Sequence, residues 1–478
     1  MKTHLIADPS SFIGTIILPF FENENAIQSR SEFKNIQVSK TIFSGKKDSQ
    51  YFVADTENGN IVIFLGLGKN PNYKEIKTAF RRLTSKQADF FQENVLLHLA
   101  ENMDEQILEA AISGLLLGTY RLGHYKSASD KTKDWGKVTL SIFTKLSNAK
   151  SIISKAQKIA SAQLETFHLV DLPPNKITPI FLAEWAENAG KQYGFKTTVF
   201  DRKKAEKENL HAFLAVGQGS KREPQFIIME YRPKEAKTHV GLVGKGVTFD
   251  TGGLNIKTQG MVHMKCDMGG AATVLGAMQL IADLELRVKV TAIVPCVENA
   301  IDNQAYLPSD VINSYSGKTI EVIDTDAEGR LILADGLTYL VKNYQPDTVI
   351  DFATLTGSTV GTFGYECAAL FSKNEALLRQ IQESGAKVGE MVWPLPMWDV
   401  YQSEMDSEIA DIKNYHGKPY AGAITAAKFL EFFTENHPSW AHIDIAGTAF
   451  GDSEFAKTKH ASAFGVHLLL KFMENLKL

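Results

Sequence analysis

Apolar positions along the chain recur in two periods. Short unbroken aliphatic or β-branched runs alternate with longer stretches in which apolar residues return every three or four positions, the signatures of buried strands and of helices. Near the start, Phe12 to Phe21 is apolar apart from Thr15, contains Gly14 and Pro19, and is followed by Glu22 and Glu24. It is too short to span a bilayer. It also lacks the basic start and small-x-small cleavage site of a signal peptide, so it predicts a buried strand. Ile61-Val62-Ile63-Phe64-Leu65, closed by Gly66-Leu67-Gly68, predicts another. Phe90 to Leu99 and Gln106 to Leu117 carry helical spacing, and Lys133-Asp134-Trp135-Gly136 lies in a polar, turn-rich stretch. Asn148 to Thr166 predicts one amphipathic helix with Ile152, Ile153, Ala156, Ile159 and Ala160 on its apolar side. Val170-Asp171-Leu172-Pro173-Pro174-Asn175 ends it.

From about residue 170 the pattern becomes α/β. His239–Val243, Val288–Pro295, Thr319–Ile323, Thr348–Phe352 and His442–Ala446 predict short strands buried on both faces. Ala271–Leu284, Leu331–Asn343, Glu375–Ser384 and Thr425–Glu435 predict the intervening helices. The implied fold class is α/β with two domains. A smaller N-terminal α/β domain, residues 1–147, is joined by a linker helix, 148–168, to a C-terminal α/β/α domain, 169–478, with a mixed central sheet. Ligands in such sheets sit at the carboxyl ends of the strands.

Composition changes this picture little. The 478 residues exceed one ordinary core, and 44% apolar with 22% charged residues is a normal balance for a protein without membrane spans. Three well-separated cysteines, Cys266, Cys296 and Cys367, form no C-x-x-C pair, which speaks against a disulfide framework and for a reducing, cytoplasmic setting. Net charge is −4, with no global attraction to nucleic acid or anionic lipid. Residues 1–150 hold 19 Lys+Arg against 16 Asp+Glu, or +3. His98 and His124 stand alone and read as structural.

Three segments carry chemistry. Val243-Gly244-Lys245-Gly246-Val247-Thr248-Phe249-Asp250-Thr251-Gly252-Gly253 runs from a strand into a glycine-rich loop without the G-x-x-x-x-G-K-[ST] spacing of a phosphate loop. Next come Lys257 and Gly260-Met261-Val262-His263-Met264-Lys265-Cys266-Asp267, followed by the small residues Gly269 to Ala272. Taken alone, Asp267 would be a helix cap, and the small residues imply something packed closely on that helix start. The third is Asp324-Thr325-Asp326-Ala327-Glu328-Gly329-Arg330-Leu331. In extended chain, Asp326, Glu328 and Arg330 project to one side. Four carboxylates, Asp250, Asp267, Asp326 and Glu328, match the charge of two divalent cations. Paired cations can activate a shared water and polarise a carbonyl, and Lys257 and Arg330 supply positive charge for an oxyanion. Oxygen ligands favour Mg or Mn, a nitrogen ligand favours Zn, and these residues do not choose between them.

At this point the chain resembles the leucyl, or cytosol, aminopeptidase family. The resemblance rests on Thr325 to Leu331, on the Lys245/Asp250/Lys257/Asp267 series, on Asp351 to Gly357 and on Trp440 to Gly447, all in order. It implies a peptidase that removes N-terminal residues, leucine and other apolar ones, from peptides. One metal would be held by Asp250, Asp326 and Glu328, and the other by Lys245, Asp250, Asp267 and Glu328. Lys245 must be neutral to ligate, so the metals must hold its pKa well below ~10.4. The resemblance further implies that Lys257 polarises the scissile carbonyl and that Arg330 holds a bicarbonate ion as proton shuttle, with backbone near Leu355 cradling it. Asp267 and a metal would take the substrate α-amine, and Met264, Thr354, Gly357 and Ala446 would line the first side-chain pocket. Family members form hexamers. Three departures stand out: Asp324 where the family usually has Asn, Ala449 where a larger apolar residue is common, and Ser309 within a usual Pro-Gly-Asp turn. The other classes are two-metal phosphoester hydrolysis and DNA binding by the N-terminal domain. The small +3 balance and the lack of a basic arm weigh against DNA binding.

Overall fold

The structure, a computed structural model, describes residues 1–24, 38–55, 59–127 and 133–476. The chain divides into two compact units, Met1–Ser161 with Glu454–Ala456, and Ala162–Ser453 with Lys457–Leu478. The change of unit falls within the helix Ala149–Asp171.

In the first unit a six-stranded sheet runs, in spatial order, Lys2–Leu5, Thr139–Phe143, Asn94–His98, Thr15–Phe21, Asn60–Gly68, Gln50–Asp55. All neighbours are parallel except the last pair. Side-chain alternation splits these strands between two cores. Ile17, Ile63, Val95, Leu97, Leu140 and Ile142 face one side, with Phe80 and Leu83 of helix Tyr73–Lys86 and Leu108 and Leu115 of helix Glu105–Leu117. Ile16, Leu18, Phe20, Val62, Phe64 and Leu96 face the other. The run Phe12 to Phe21 thus holds a buried strand, as its pattern predicts. Phe90 to Leu99 corrects the helical expectation: it holds a single 3₁₀ turn at Ala88–Phe90 and then the strand Asn94–His98. Consecutive residues of that strand are buried in opposite cores, so the apolar run is unbroken and its period ambiguous.

The second unit is built on a nine-stranded mixed sheet. Its order is Val392–Pro394, Ala368–Phe371, Trp440–Asp444, Thr348–Ala353, His239–Gly244, Lys289–Asn299, Gln225–Tyr231, Lys196–Phe200, with Gly246–Asp250 alongside the far end of Lys289–Asn299. Trp440–Asp444, Thr348–Ala353, His239–Gly244 and Lys289–Asn299 are adjacent and mutually parallel. Their carboxyl ends therefore share one edge of the sheet. Leu331, Leu337 and Leu340 of helix Gly329–Tyr344 pack against Val243, Ile293 and Val349. Helix Gly269–Asp283 is buried along nearly all its length. Thr319–Ile323 also departs from expectation. Only Thr319–Glu321 is strand, and it lies outside the central sheet, in a three-stranded one with Val311–Asn313 and Ile412–Lys413. Ile320 is buried while Thr319 and Glu321 are half-exposed, so this strand covers one face only. Among the described residues no helix is long and apolar enough to cross a membrane.

Candidate metal centre and active site

Lys245 interrupts a strand. His239–Gly244 pairs with Lys289–Ile293, and Gly246–Asp250 resumes along Cys296–Asn299. At the break the Lys245 N–H donates to Phe352 O (3.0 Å) and its carbonyl accepts from Ala271 N–H (2.8 Å). The side chain is thereby turned into the space beyond the sheet edge, where it is 3% exposed. The small residues after Asp267 let helix Gly269–Asp283 start against the sheet: a Cβ on Gly270 would lie 2.0 Å from Phe352 O.

The four expected carboxylates converge on two ammonium groups. Lys245 Nζ lies 2.8 Å from Asp267 Oδ1 and 2.9 Å from Glu328 Oε1, and donates to Thr354 O (2.8 Å). Lys257 Nζ lies 2.7 Å from Asp250 Oδ2 and also bonds Asp326 Oδ1. Oxygens of Asp250, Asp326 and Glu328 come within 4.8 Å of one another. Asp250, Asp267 and Glu328 are buried, whereas the Asp326 side chain is 35% exposed and forms the open side.

The electrostatics show an unbalanced negative cluster. Burial, then the charge of Glu328, pushes the Asp250 carboxyl up. Burial also drives Asp267 well up, and burial with Asp250 and Glu328 pushes Asp326 up to about 7. Glu328 moves the other way, because Lys245 and Lys257 outweigh its burial. Burial pulls both lysines down, but the surrounding carboxylates raise them above their ordinary value. Asp267 Oδ2 is buried with no hydrogen-bond partner, while Glu328 Oε1 is paired with the Lys245 ammonium. A buried anionic oxygen without a partner is costly unless a cation takes it. The donor set, carboxylates with a lysine nitrogen, therefore fits divalent metal.

The remaining expected residues surround this cluster. Arg330 is 5% exposed, and its Nη1 donates to Asn414 O (2.8 Å) while its buried Nε has no partner. Burial lowers its pKa to about 10. Thr354 is brought directly to the site, donating from Oγ1 to Asp267 Oδ1 (2.9 Å). The Leu355 and Ala446 N–H groups both donate to Asp444 Oδ1 (3.1 Å each), so Leu355's amide is already engaged. Gly357 opens helix Gly357–Phe363 and is exposed. Met264 is half-buried in the 3₁₀ segment Met261–Cys266. Ala449 is buried beside Thr354: a Cβ on Gly269 would lie 3.0 Å from both. The Asp324 Oδ1 accepts from Asp326 N–H (2.8 Å), a role the amide oxygen of Asn can also fill. Ser309 takes φ +77°, the conformation that a Gly in this turn would adopt freely.

Several supporting residues carry no sequence signal of their own. Asn299 Nδ2 donates to Asp250 Oδ1 (2.8 Å) and Thr325 O (3.1 Å), and Tyr306 Oη donates to the same carbonyl (2.8 Å). Asn255 N–H donates to Thr325 Oγ1 (2.9 Å), and its Oδ1 accepts from Thr325 N–H (3.0 Å). The buried Thr325 thus ties the Lys257 loop to the Asp326 loop.

Comparison with known proteins matches this arrangement over both units. Residues 166–470 match the catalytic domain of the cytosol aminopeptidase family, and residues 18–129 match its N-terminal domain. A probable cytosol aminopeptidase of Chlorobaculum tepidum is 40% identical over 444 residues, 89% of this chain and 88% of that protein. One from Chlamydia abortus is 38% identical over 480 residues, 96% of this chain and 95% of that protein. A solved structure titled "Bottromycin maturation enzyme BotP in complex with Mn" superposes with a TM-score of 0.85 at 26% identity, covering 96% of this chain and 98% of that one. The buried carboxylate–lysine cluster therefore sits in the fold and sequence context of one family, and this chain belongs to the cytosol aminopeptidases, which are metal-dependent exopeptidases.

Proposed function

We propose that this protein removes single residues, leucine and other apolar ones foremost, from the free N-terminus of peptides, using two divalent ions. The carrying observation is that Asp250, Asp267, Asp326 and Glu328 converge on Lys245 and Lys257, with Asp267 Oδ2 buried and unbonded. One ion would be held by Asp250, Asp326 and Glu328, and the other by Lys245, Asp250, Asp267 and Glu328. Bound there, the ions would supply an activated water and polarise the scissile carbonyl. The manganese complexed by the similar BotP enzyme supports Mn, and the lysine nitrogen supports Zn, ahead of Mg.

The chain's own groups account for the rest. Lys257, its ammonium on the open side beside Asp326, would place positive charge on the oxyanion. Asp267 would take the α-amine, restricting cleavage to the N-terminus. Arg330, with an unpartnered buried Nε, suits a small anion, and bicarbonate held there would pass the proton to the leaving amine. Leu355 would bound that anion site, its own amide being engaged by Asp444. Met264, Thr354, Gly357 and Ala446 would line the first side-chain pocket. A cytoplasmic homohexamer is the assembly this reading implies. Exposed Trp393 and Trp398, 57% and 66%, support self-association.

The test is hydrolysis of leucine p-nitroanilide and its N-acetylated form by folded protein loaded with Mn²⁺ or Zn²⁺. Cleavage of the free-amine substrate alone is expected. Absence of cleavage in the metal-loaded protein would sink the reading. Glu328→Gln should lose at least one metal and nearly all turnover.

A further inference from the structure

Resting on that functional reading, we propose that Asn414 is a positioning residue that holds the ligand-bearing loop and Arg330 in one register. The segment Ile323–Ala327 has no helix or strand of its own, yet it delivers Asp326 and leads directly into Glu328. Asn414 is 0% exposed and follows directly on the strand Ile412–Lys413. Its N–H donates to Glu321 O (2.9 Å), continuing the parallel pairing of that strand with Thr319–Glu321.

Beyond this point its side chain replaces the ladder. Oδ1 accepts from Ile323 N–H (2.7 Å) and Asp324 N–H (3.3 Å), while Nδ2 donates to Asp324 O (2.6 Å) and Ala327 O (3.3 Å). One carboxamide thus fixes both ends of the loop that carries Asp326. Only an amide offers an acceptor and a two-hydrogen donor at this separation. The Asn414 carbonyl accepts from Arg330 Nη1 (2.8 Å). The aim of Arg330 is therefore set by the position of the Asn414 peptide, which the side-chain clamp in turn fixes. The metal ligands and the anion-holding cation move together because one residue touches both supports.

Asn414→Asp keeps the acceptor and loses the donor, and Asn414→Ser shortens the side chain out of reach of both ends. For each, Mn²⁺ affinity by calorimetry, the melting temperature of the metal-free protein, and kcat and KM on leucine p-nitroanilide are to be measured. Mn²⁺ binding is expected to weaken on the order of tenfold or more, and kcat at saturating Mn²⁺ to fall similarly. KM should change by only about threefold or less, because Thr354 and Ala446 are held by other segments. With Arg330→Ala already in place, Asn414→Ser should cost less in kcat than it does alone. Folded variants with wild-type Mn²⁺ affinity and kcat, or with a lowered melting temperature alone, would overturn the proposal. If Asn414→Asp does not fold, Asn414→Ser decides. A wild-type protein without peptidase activity would count against the functional reading only, since the Mn²⁺ comparison stands apart from turnover.

Discussion

Gly329 opens the helix that follows Glu328, and it leaves no room for a side chain. A Cβ there would lie 2.3 Å from Lys245 Cε and 2.6 Å from Lys245 Nζ. Alanine is favoured over glycine inside a helix by about 1 kcal/mol and glycine has no need of its freedom here, so the substitution separates local stability from site geometry. Gly329→Ala should leave the melting temperature close to wild type. It should displace Lys245 and lower kcat/KM on the order of a hundredfold, with less metal retained per chain by elemental analysis. At this scale the sequence was legible wherever residue type itself carries chemistry. Lys245, Asp250, Asp267, Asp326 and Glu328 stand out as charges beside apolar strands and helices, and the structure brings them together. Asn299, Asn414 and Tyr306 do not, because an asparagine in a polar stretch reads the same whether it faces water or clamps a loop. Their partners are also remote: Asn414 holds backbone groups 87 to 91 positions earlier.

At the level of elements, strand His239–Gly244 shows how a polar residue is accommodated in the sheet. His239 is 7% exposed, its N–H donates to Asp347 Oδ2 (2.7 Å), and its Nε2 lies 2.9 Å from Thr291 Oγ1 on the neighbouring strand. Burial, then Lys289, lowers its pKa to about 4 from an ordinary value near 6.5. The native state therefore holds the neutral ring. Stability from this source is intact above about pH 6.5 and declines as pH falls toward 4, because the unfolded chain takes up a proton that the native state refuses. His239→Gln should show a smaller drop in melting temperature between pH 7 and pH 4.5 than wild type does, and an equal drop would refute the assignment. Long periodic elements such as Glu105–Leu117 and Gly329–Tyr344 were legible, as were two-sided strands such as Thr15–Phe21 and Thr348–Ala353, but Asn94–His98 was not. Asn94–His98 imitated a helix because consecutive residues are buried in separate cores. Helix Pro179–Tyr193 went unread although its ends are marked: Thr178 accepts from Phe181 N–H, Pro179 takes the first turn, and Gly194 closes it at φ +84°.

For the whole molecule, two α/β units were legible from the repeated alternation of runs, but the order of strands was not. Nothing in Trp440 to Asp444 says that it inserts between Thr348–Ala353 and Ala368–Phe371, strands earlier in the chain. That position gives the late segment wide reach. Asp444 accepts from Leu355 and Ala446 N–H and from the Thr356 and Thr359 hydroxyls, fixing the loop that carries Thr354. A chain ending at residue 438 would leave a gap in the middle of the sheet, with two unpaired strand edges facing it. Expressed alone, it should aggregate and bind no Mn²⁺; a soluble, metal-binding fragment by gel filtration and calorimetry would contradict this.

The same insertion sets a clock on biosynthesis. During translation Lys245, Asp267 and Glu328 emerge long before the strand that completes their surroundings, so the nascent chain carries its charged cluster unfinished. A peptidase made this way is expected to gain activity only after Trp440–Asp444 has docked, because Asp444 on that strand fixes the loop carrying Thr354.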